Sequence, residues 1–292
     1  MTNGLLTVGD VEHIQLALEH GKPVDSFVQG LGGATLPAAL EYGCLRWAFP
    51  EAGLPGLPPA VVASDLGRAL SEVSTPLGIK TTGPENRPWD RLDFRNYGFF
   101  VLREEGQLDE RDWKRFETLY NLASTRVGFP PKVASRLSVA LHEMTANALT
   151  HAMSPIPILV GFDVRPGQSL FCVVDVGIGV FRSLRRHPTY GGIENDKDAI
   201  RLALHDGESG VDPGLRGYGF REVFRALLSC DGVLRFRSGT GGIRMNGTDL
   251  DADRGTEWFP PRIPGFQVTV CCRLSPRKLS PWLAVDDSRV YS

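Results

Sequence analysis

The chain has 292 residues, 42% of them hydrophobic and 23% charged, the balance of an ordinary globular protein with length enough for two domains and no need of disulfide or metal staples. Its formal net charge of -2 excludes the global basic field with which nucleic acid is usually engaged. No apolar run approaches the roughly 20 residues of a membrane helix, and residues 1–10 lack a basic stretch leading into an apolar one, so neither membrane contact nor a signal peptide is expected, and the expected location is the cytoplasm.

In chain order, apolar periodicity predicts a helix over Val8–His20 and a second over Leu36–Phe49, stopped by Pro50. Residues 51–59 are rich in Gly and Pro and read as a loop; 61–73 is a further helix candidate, and 83–93 another loop. Tyr97–Leu102 is a short apolar run with strand character. These segments make an N-terminal α/β module over 1–107. A second domain is expected over 108–275, opening with a helix capped by Asp109 and running to about Val127. Pro130-Pro131 breaks the chain, and Pro131 suits the first turn of a helix reaching Ala152. Strands are predicted at Ile158–Val164 and Ser169–Val176, joined at Pro166-Gly167, then helices at Asp196–His205 and Tyr218–Ser229, then strands at Val233–Ser238 and Phe266–Leu274. Residues 239–264 read as an excursion with a hairpin around Ile243-Arg244-Met245, and 276–292 as a tail. Five scattered cysteines, Cys44, Cys172, Cys230, Cys271 and Cys272, form no C-x-x-C pair and are expected to be reduced, mostly buried thiols.

Three stretches carry chemistry. On the helix ending at Ala152, Glu143, Asn147 and His151 recur every fourth residue and share one side, beside a packing stripe of Leu137, Leu141, Met144 and Ala148. Such a column is commonly a solvated face; Asn, a mediocre helix former, invites a second explanation in mid-helix. In S-L-F-C-V-V-D-V-G-I-G, 169–179, an apolar strand ends in Asp175 followed by Gly177 and Gly179. A carboxylate there can accept a hydrogen bond from an exocyclic amine, and the glycines allow close backbone approach to a ligand; an Asp-Gly turn is the plain alternative. In P-G-L-R-G-Y-G-F, 213–220, glycines precede a helix whose free N–H groups suit phosphate, with Arg216 as a positive charge.

Taken in this order, H-E-M-T-A-N-A-L-T-H-A at 142–152, D-V-G-I-G at 175–179 and G-Y-G-F at 217–220 resemble the N-box and glycine boxes of the GHKL (Bergerat-fold) ATPase superfamily, which includes histidine-kinase catalytic domains. The N-box is most similar to stand-alone bacterial ATP-binding proteins, including anti-sigma-factor serine kinases. The resemblance covers roughly residues 108–275. It implies an α+β fold, a two-layer α/β sandwich with a mixed sheet covered by helices, preceded here by a smaller α/β module with a faint STAS-like character. It implies ATP and Mg²⁺ as cofactors, with Asn147 as metal ligand, Glu143 as general base, Asp175 on the adenine amino group, and Gly177 and Gly179 shaping the base pocket. Arg216, Gly217, Tyr218, Gly219 and Phe220 would form the lid against the phosphates. His151 would stand near them, or be a partly buried helix histidine. The family's Gly-Thr pair has two candidate places: Gly255-Thr256 has the letters, while Gly265-Phe266 directly precedes the alternating strand and is favoured on geometry, at the cost of the threonine.

The implied function is a regulatory ATPase or protein kinase acting on a protein partner, with a homodimer among the forms such relatives take and no nucleic acid expected. The alternatives are a nucleotide-gated interaction module without turnover, and a scaffold whose site has decayed. No phosphoacceptor histidine stands on a paired-helix hairpin ahead of the domain, which argues against an ordinary sensor histidine kinase.

Overall fold

The computed structural model describes residues 4–22, 24, 28, 31–56, 96–204, 219–247 and 255–274. The chain divides into two compact units between residues 93 and 94. The helix candidate at 61–73, the loop at 83–93 and the tail at 276–292 lie outside the described residues.

In the first unit, β1 (Gly4–Leu6) pairs in parallel with β2 (Leu31–Ala34), two short strands that periodicity did not reveal. Helix α1 (Val8–Glu19) opens with a capping box in which the Thr7 hydroxyl accepts from Asp10 N–H and the Asp10 carboxylate accepts from Thr7 N–H. Helix α2 (Leu36–Ala48) is capped by Thr35 and ends ahead of Pro50. Leu6, Ile14, Tyr42 and Leu45 form the core between these elements, and the Tyr42 hydroxyl donates to the Pro55 carbonyl at 2.6 Å.

The second unit is built on a seven-stranded sheet of order β3-β4-β5-β9-β6-β7-β8. Its strands are β3 (Tyr97–Leu102), β4 (Ile158–Arg165), β5 (Gln168–Val174), β6 (Asp231–Gly239), β7 (Gly241–Asn246), β8 (Thr256–Trp258) and β9 (Ile263–Arg273). Two expectations change here. Tyr97–Leu102, grouped with the N-terminal module over 1–107, pairs with β4 as an edge of this sheet. The expected mixed sheet is antiparallel in every pairing. Tight turns at Pro166-Gly167 (Gly167 φ +73°) and Gly239-Thr240 (Gly239 φ +60°) reverse the chain between β4 and β5 and between β6 and β7, which makes those two pairs antiparallel. The excursion over 239–264 contributes β7 and β8 to the sheet.

Helix α3 (Arg111–Arg126) begins after Glu110, without the expected side-chain cap from Asp109, which closes a short 3₁₀ turn at Glu105–Asp109. Its apolar stripe lies on the sheet: Phe116 and Tyr120 each put a ring centroid 5.1 Å from Phe162 on β4. Ser169 on β5 donates to the buried Tyr120 hydroxyl at 3.0 Å and shares a 2.8 Å hydrogen bond with Ser124. Helix α4 (Pro131–His151) follows, with Leu137, Leu141, Met144 and Ala148 all buried, as the periodicity predicts. Then come α5 (Gly179–Arg185), α6 (Asp196–Leu204) and α7 (Gly219–Leu227). Asp196 ties α6 to the β6–β7 hairpin, accepting from the Thr240 N–H and hydroxyl at 3.0 Å each. Among the described residues no helix is long and apolar enough to cross a membrane, and the five cysteines are free thiols.

Candidate functional site

Strand β5 delivers Asp175 to the site. The strand ends at Val174, and Asp175 N–H still bonds the Phe266 carbonyl of β9 at 3.0 Å, so the acid is held as the last rung of the ladder. Its side chain is fully buried. One carboxylate oxygen, Oδ1, accepts from Gly177 N–H at 2.7 Å, closing an Asx-type turn; Oδ2 is buried with no partner among the described residues. Burial pushes the carboxyl up from 3.8 to about 7, and the backbone bond from Gly177 offsets only part of this.

Three glycines let the chain close around this acid. A side-chain carbon at Gly177 would overlap the Ala152 carbonyl, and one at Gly265 would overlap both the backbone and the carboxylate of Asp175. Gly265 (φ +76°) and Gly179 (φ +77°) also adopt the left-handed conformation that glycine alone takes freely. Gly265 therefore backs onto Asp175, whereas Thr256 pairs with Arg244 on the far edge of the sheet. Of the two candidate places, Gly265-Phe266 is the one that packs beside Asp175.

The glycine loop abuts the end of α4, because Ile178 N–H donates to the Ala152 carbonyl at 2.8 Å. Just past that carbonyl stands Met153 (φ +48°), the only non-glycine residue in the left-handed region among the described residues. A methionine in this conformation stores strain, and such strain clusters at functional sites. Along α4, Asn147 stands about 8 Å and Glu143 about 14 Å back from Ala152, at about 1.5 Å per residue. Glu143, Asn147 and His151 are all partly exposed, in a column beside the buried stripe of the helix. Next to them His142 shares a 2.7 Å hydrogen bond with Glu117 on α3, which raises its pKa above 6.5.

From the glycine-rich stretch at 213–220, Gly219 opens α7, and the Phe220 ring lies 5.3 Å from that of Phe236 on β6, itself 5.8 Å from Phe266. That aromatic line brings the start of α7 to the strand pair that backs Asp175. Arg216, Gly217 and Tyr218 lie outside the described residues.

The sequence reading missed Ser238. Buried on β6, its hydroxyl donates to the Gly265 carbonyl at 2.8 Å and accepts from Val180 N–H at 3.0 Å. A lone serine inside an otherwise ordinary strand carries no sequence signal of such a role. Among the described residues no group of three or more His, Cys, Asp or Glu side chains is arranged to hold a metal ion.

Comparison of the sequence with protein-family models and with curated proteins finds no match. The functional reading therefore rests on the geometry and on the motif resemblance.

Proposed function

We propose that the chain binds Mg-ATP in a site of the GHKL type and acts as a regulatory protein that hydrolyses ATP or passes its terminal phosphate to a protein partner. The observation that carries this reading is the Asp175 carboxylate: fully buried, one oxygen engaged by Gly177, the other without a partner among the described residues. A buried acceptor left open is costly, and a ligand that brings a donor repays that cost. The exocyclic amine of adenine is such a donor, and the glycines at 177, 179 and 265 leave backbone, not side chain, around it.

The rest of the site fits an extended triphosphate. Asn147 offers a hard amide oxygen to Mg²⁺, whose other ligands would come from phosphate and water, as this ion commonly arranges. The ion would neutralise phosphate charge. Glu143, one turn further along and open to solvent, can orient or deprotonate an attacking water or hydroxyl. His151, one turn on the other side of Asn147, faces the same column. The helices laid on the sheet by α3 and α4 agree with the two-layer sandwich this site requires. Arg216, Gly217 and Tyr218 enter as lid residues through the motif resemblance alone, together with the protein partner.

Calorimetric titration of the native chain and of Asp175→Asn with Mg-ATP and Mg-GTP tests the reading. The native chain prefers ATP. In Asp175→Asn the amide oxygen takes the Gly177 N–H, so the amide nitrogen faces the base and repels its amine. ATP affinity then falls roughly 10- to 100-fold, the range of a hydrogen bond to a charged group. Equal ATP and GTP affinities in the native chain contradict the assignment. Glu143→Ala retains binding and loses phosphate release by about a hundredfold or more, the span of general-base catalysis; unchanged release assigns the base elsewhere.

A further inference from the structure

We propose that Ser238 is the positioning residue of the base end of this site, fastening the Asp175–Gly179 loop to β9 through one hydroxyl. The role deepens the nucleotide reading above and rests on it. Helix α5 starts at the last glycine of the loop, and no side chain of its own N-terminus caps it. The free N–H groups of a helix start need an acceptor. Val180 N–H finds it across the fold, in the Ser238 Oγ at 3.0 Å. The same hydroxyl donates to the Gly265 carbonyl at 2.8 Å, and Gly265 is the residue pressed against Asp175. Thus one atom on β6 ties the end of the glycine loop to the strand that backs the acid.

Two further features single this serine out. It stands at the register break of the β6–β9 ladder, between Ser238 and Gly239, where backbone pairing no longer holds the two strands in step. A Cβ added at Gly179 would come within 2.9 Å of the Ser238 oxygen, so glycine and hydroxyl fit each other. Phe266, directly across the ladder from Ser238, offers no hydroxyl to share the work. Ser238 makes no contact with the nucleotide in this proposal; it sets where Asp175 and the loop amides stand.

The test compares the native chain with Ser238→Ala, Ser238→Thr and Ser238→Cys. Amide hydrogen exchange at Val180 reports the clamp, and titration with ADP in the presence of EDTA reports base-end affinity without the metal side. In Ser238→Ala, Val180 exchange and the ADP dissociation constant each rise roughly tenfold, the order expected for loss of one to two net hydrogen bonds. Ser238→Thr keeps the hydroxyl on a side chain suited to a strand and restores both readouts. Should the alanine protein fail to fold, Ser238→Cys, with a weaker donor of similar shape, gives an intermediate loss. Native ADP affinity in a folded Ser238→Ala or Ser238→Cys protein that has lost Val180 protection overturns the positioning role alone. Native protection of Val180 in Ser238→Ala overturns the clamp itself. Absence of ADP binding by the native chain sinks the nucleotide reading, and the role with it.

Discussion

Asp175 and Asn147 stand on either side of the junction at Ala152, in contrasting surroundings. Asp175 is 0% exposed, its loop wedged by Gly177 against the end of α4 and by Gly265 against β9, with the Ser238 hydroxyl joining the pieces. Asn147 shares with Glu143 a partly exposed strip of α4 beside the stripe that enters the core. On the proposed nucleotide reading, the end that would tell one flat base from another gains from rigid, water-free packing, where a misplaced donor is costly. The end that would handle phosphate, metal and water has to stay open to them. Substitutions should therefore disturb folding at the first end and only chemistry at the second.

The largest expected effect is a pH-dependent one at Asp175. Its folded carboxyl titrates at about 7, against 3.8 when unfolded, so the unfolded chain ionises first as pH rises. The raised value lowers stability progressively from about pH 4 to about pH 7, by about 4 kcal/mol in total at 1.36 kcal/mol per unit. Asp175→Asn removes this slope. Urea unfolding at pH 4 and pH 8 should show the variant gaining on the native chain by about that amount; a difference independent of pH breaks the account of a buried, ionisable acid.

The glycines come next. Gly177→Ala and Gly265→Ala place a methyl into backbone, and the second also demands a left-handed alanine. Each should cost about 3 kcal/mol by overpacking and strain. Gly192→Ala, which meets nothing within 4 Å, should stay within about 0.5 kcal/mol. Thermal melts of the three proteins rank them, and equal melting temperatures would contradict the tight packing around Asp175.

A smaller effect on the fold belongs to Asn147→Ala. Its stability should stay within about 0.5 kcal/mol of native, as at other surface positions, while the Mg²⁺-dependent part of ATP affinity is lost. Unchanged Mg²⁺ dependence in titration would move the metal away from α4. The smallest concerns His142. Its hydrogen bond to Glu117 raises its pKa, so the pair's contribution is fully present below the unfolded value of 6.5 and fades as pH rises through the folded one. In an NMR titration Glu117→Gln should bring the His142 midpoint down; an unmoved midpoint assigns the shift to another neighbour.

Much of this was legible in the residues themselves. The four-residue recurrence of Glu143, Asn147 and His151 beside a Leu–Met–Ala stripe predicts a helix with one polar side, and α4 buries that stripe. The apolar run ending at Asp175 and the Pro166-Gly167 turn predict β5 and its start. Asp109 misled, because an acid ahead of an apolar stripe resembles a cap, yet a 3₁₀ turn intervenes and Glu110 takes the cap position. Tyr97–Leu102 read correctly as a strand and was grouped with the wrong neighbours, since an isolated strand carries no mark of its partner.

By itself, then, the sequence determined the local elements and the motif residues they display, because side-chain periodicity and turn chemistry act over a few neighbours. Only the tertiary structure decided the antiparallel strand order, the choice of Gly265 over Thr256 behind Asp175, the Ser238 clamp and the raised pKa of the buried acid. Each of these depends on groups brought together from distant parts of the chain. Val180 and Ser238 meet through a hydrogen bond spanning 58 residues, and Asp175 loses its water to segments that no local pattern names.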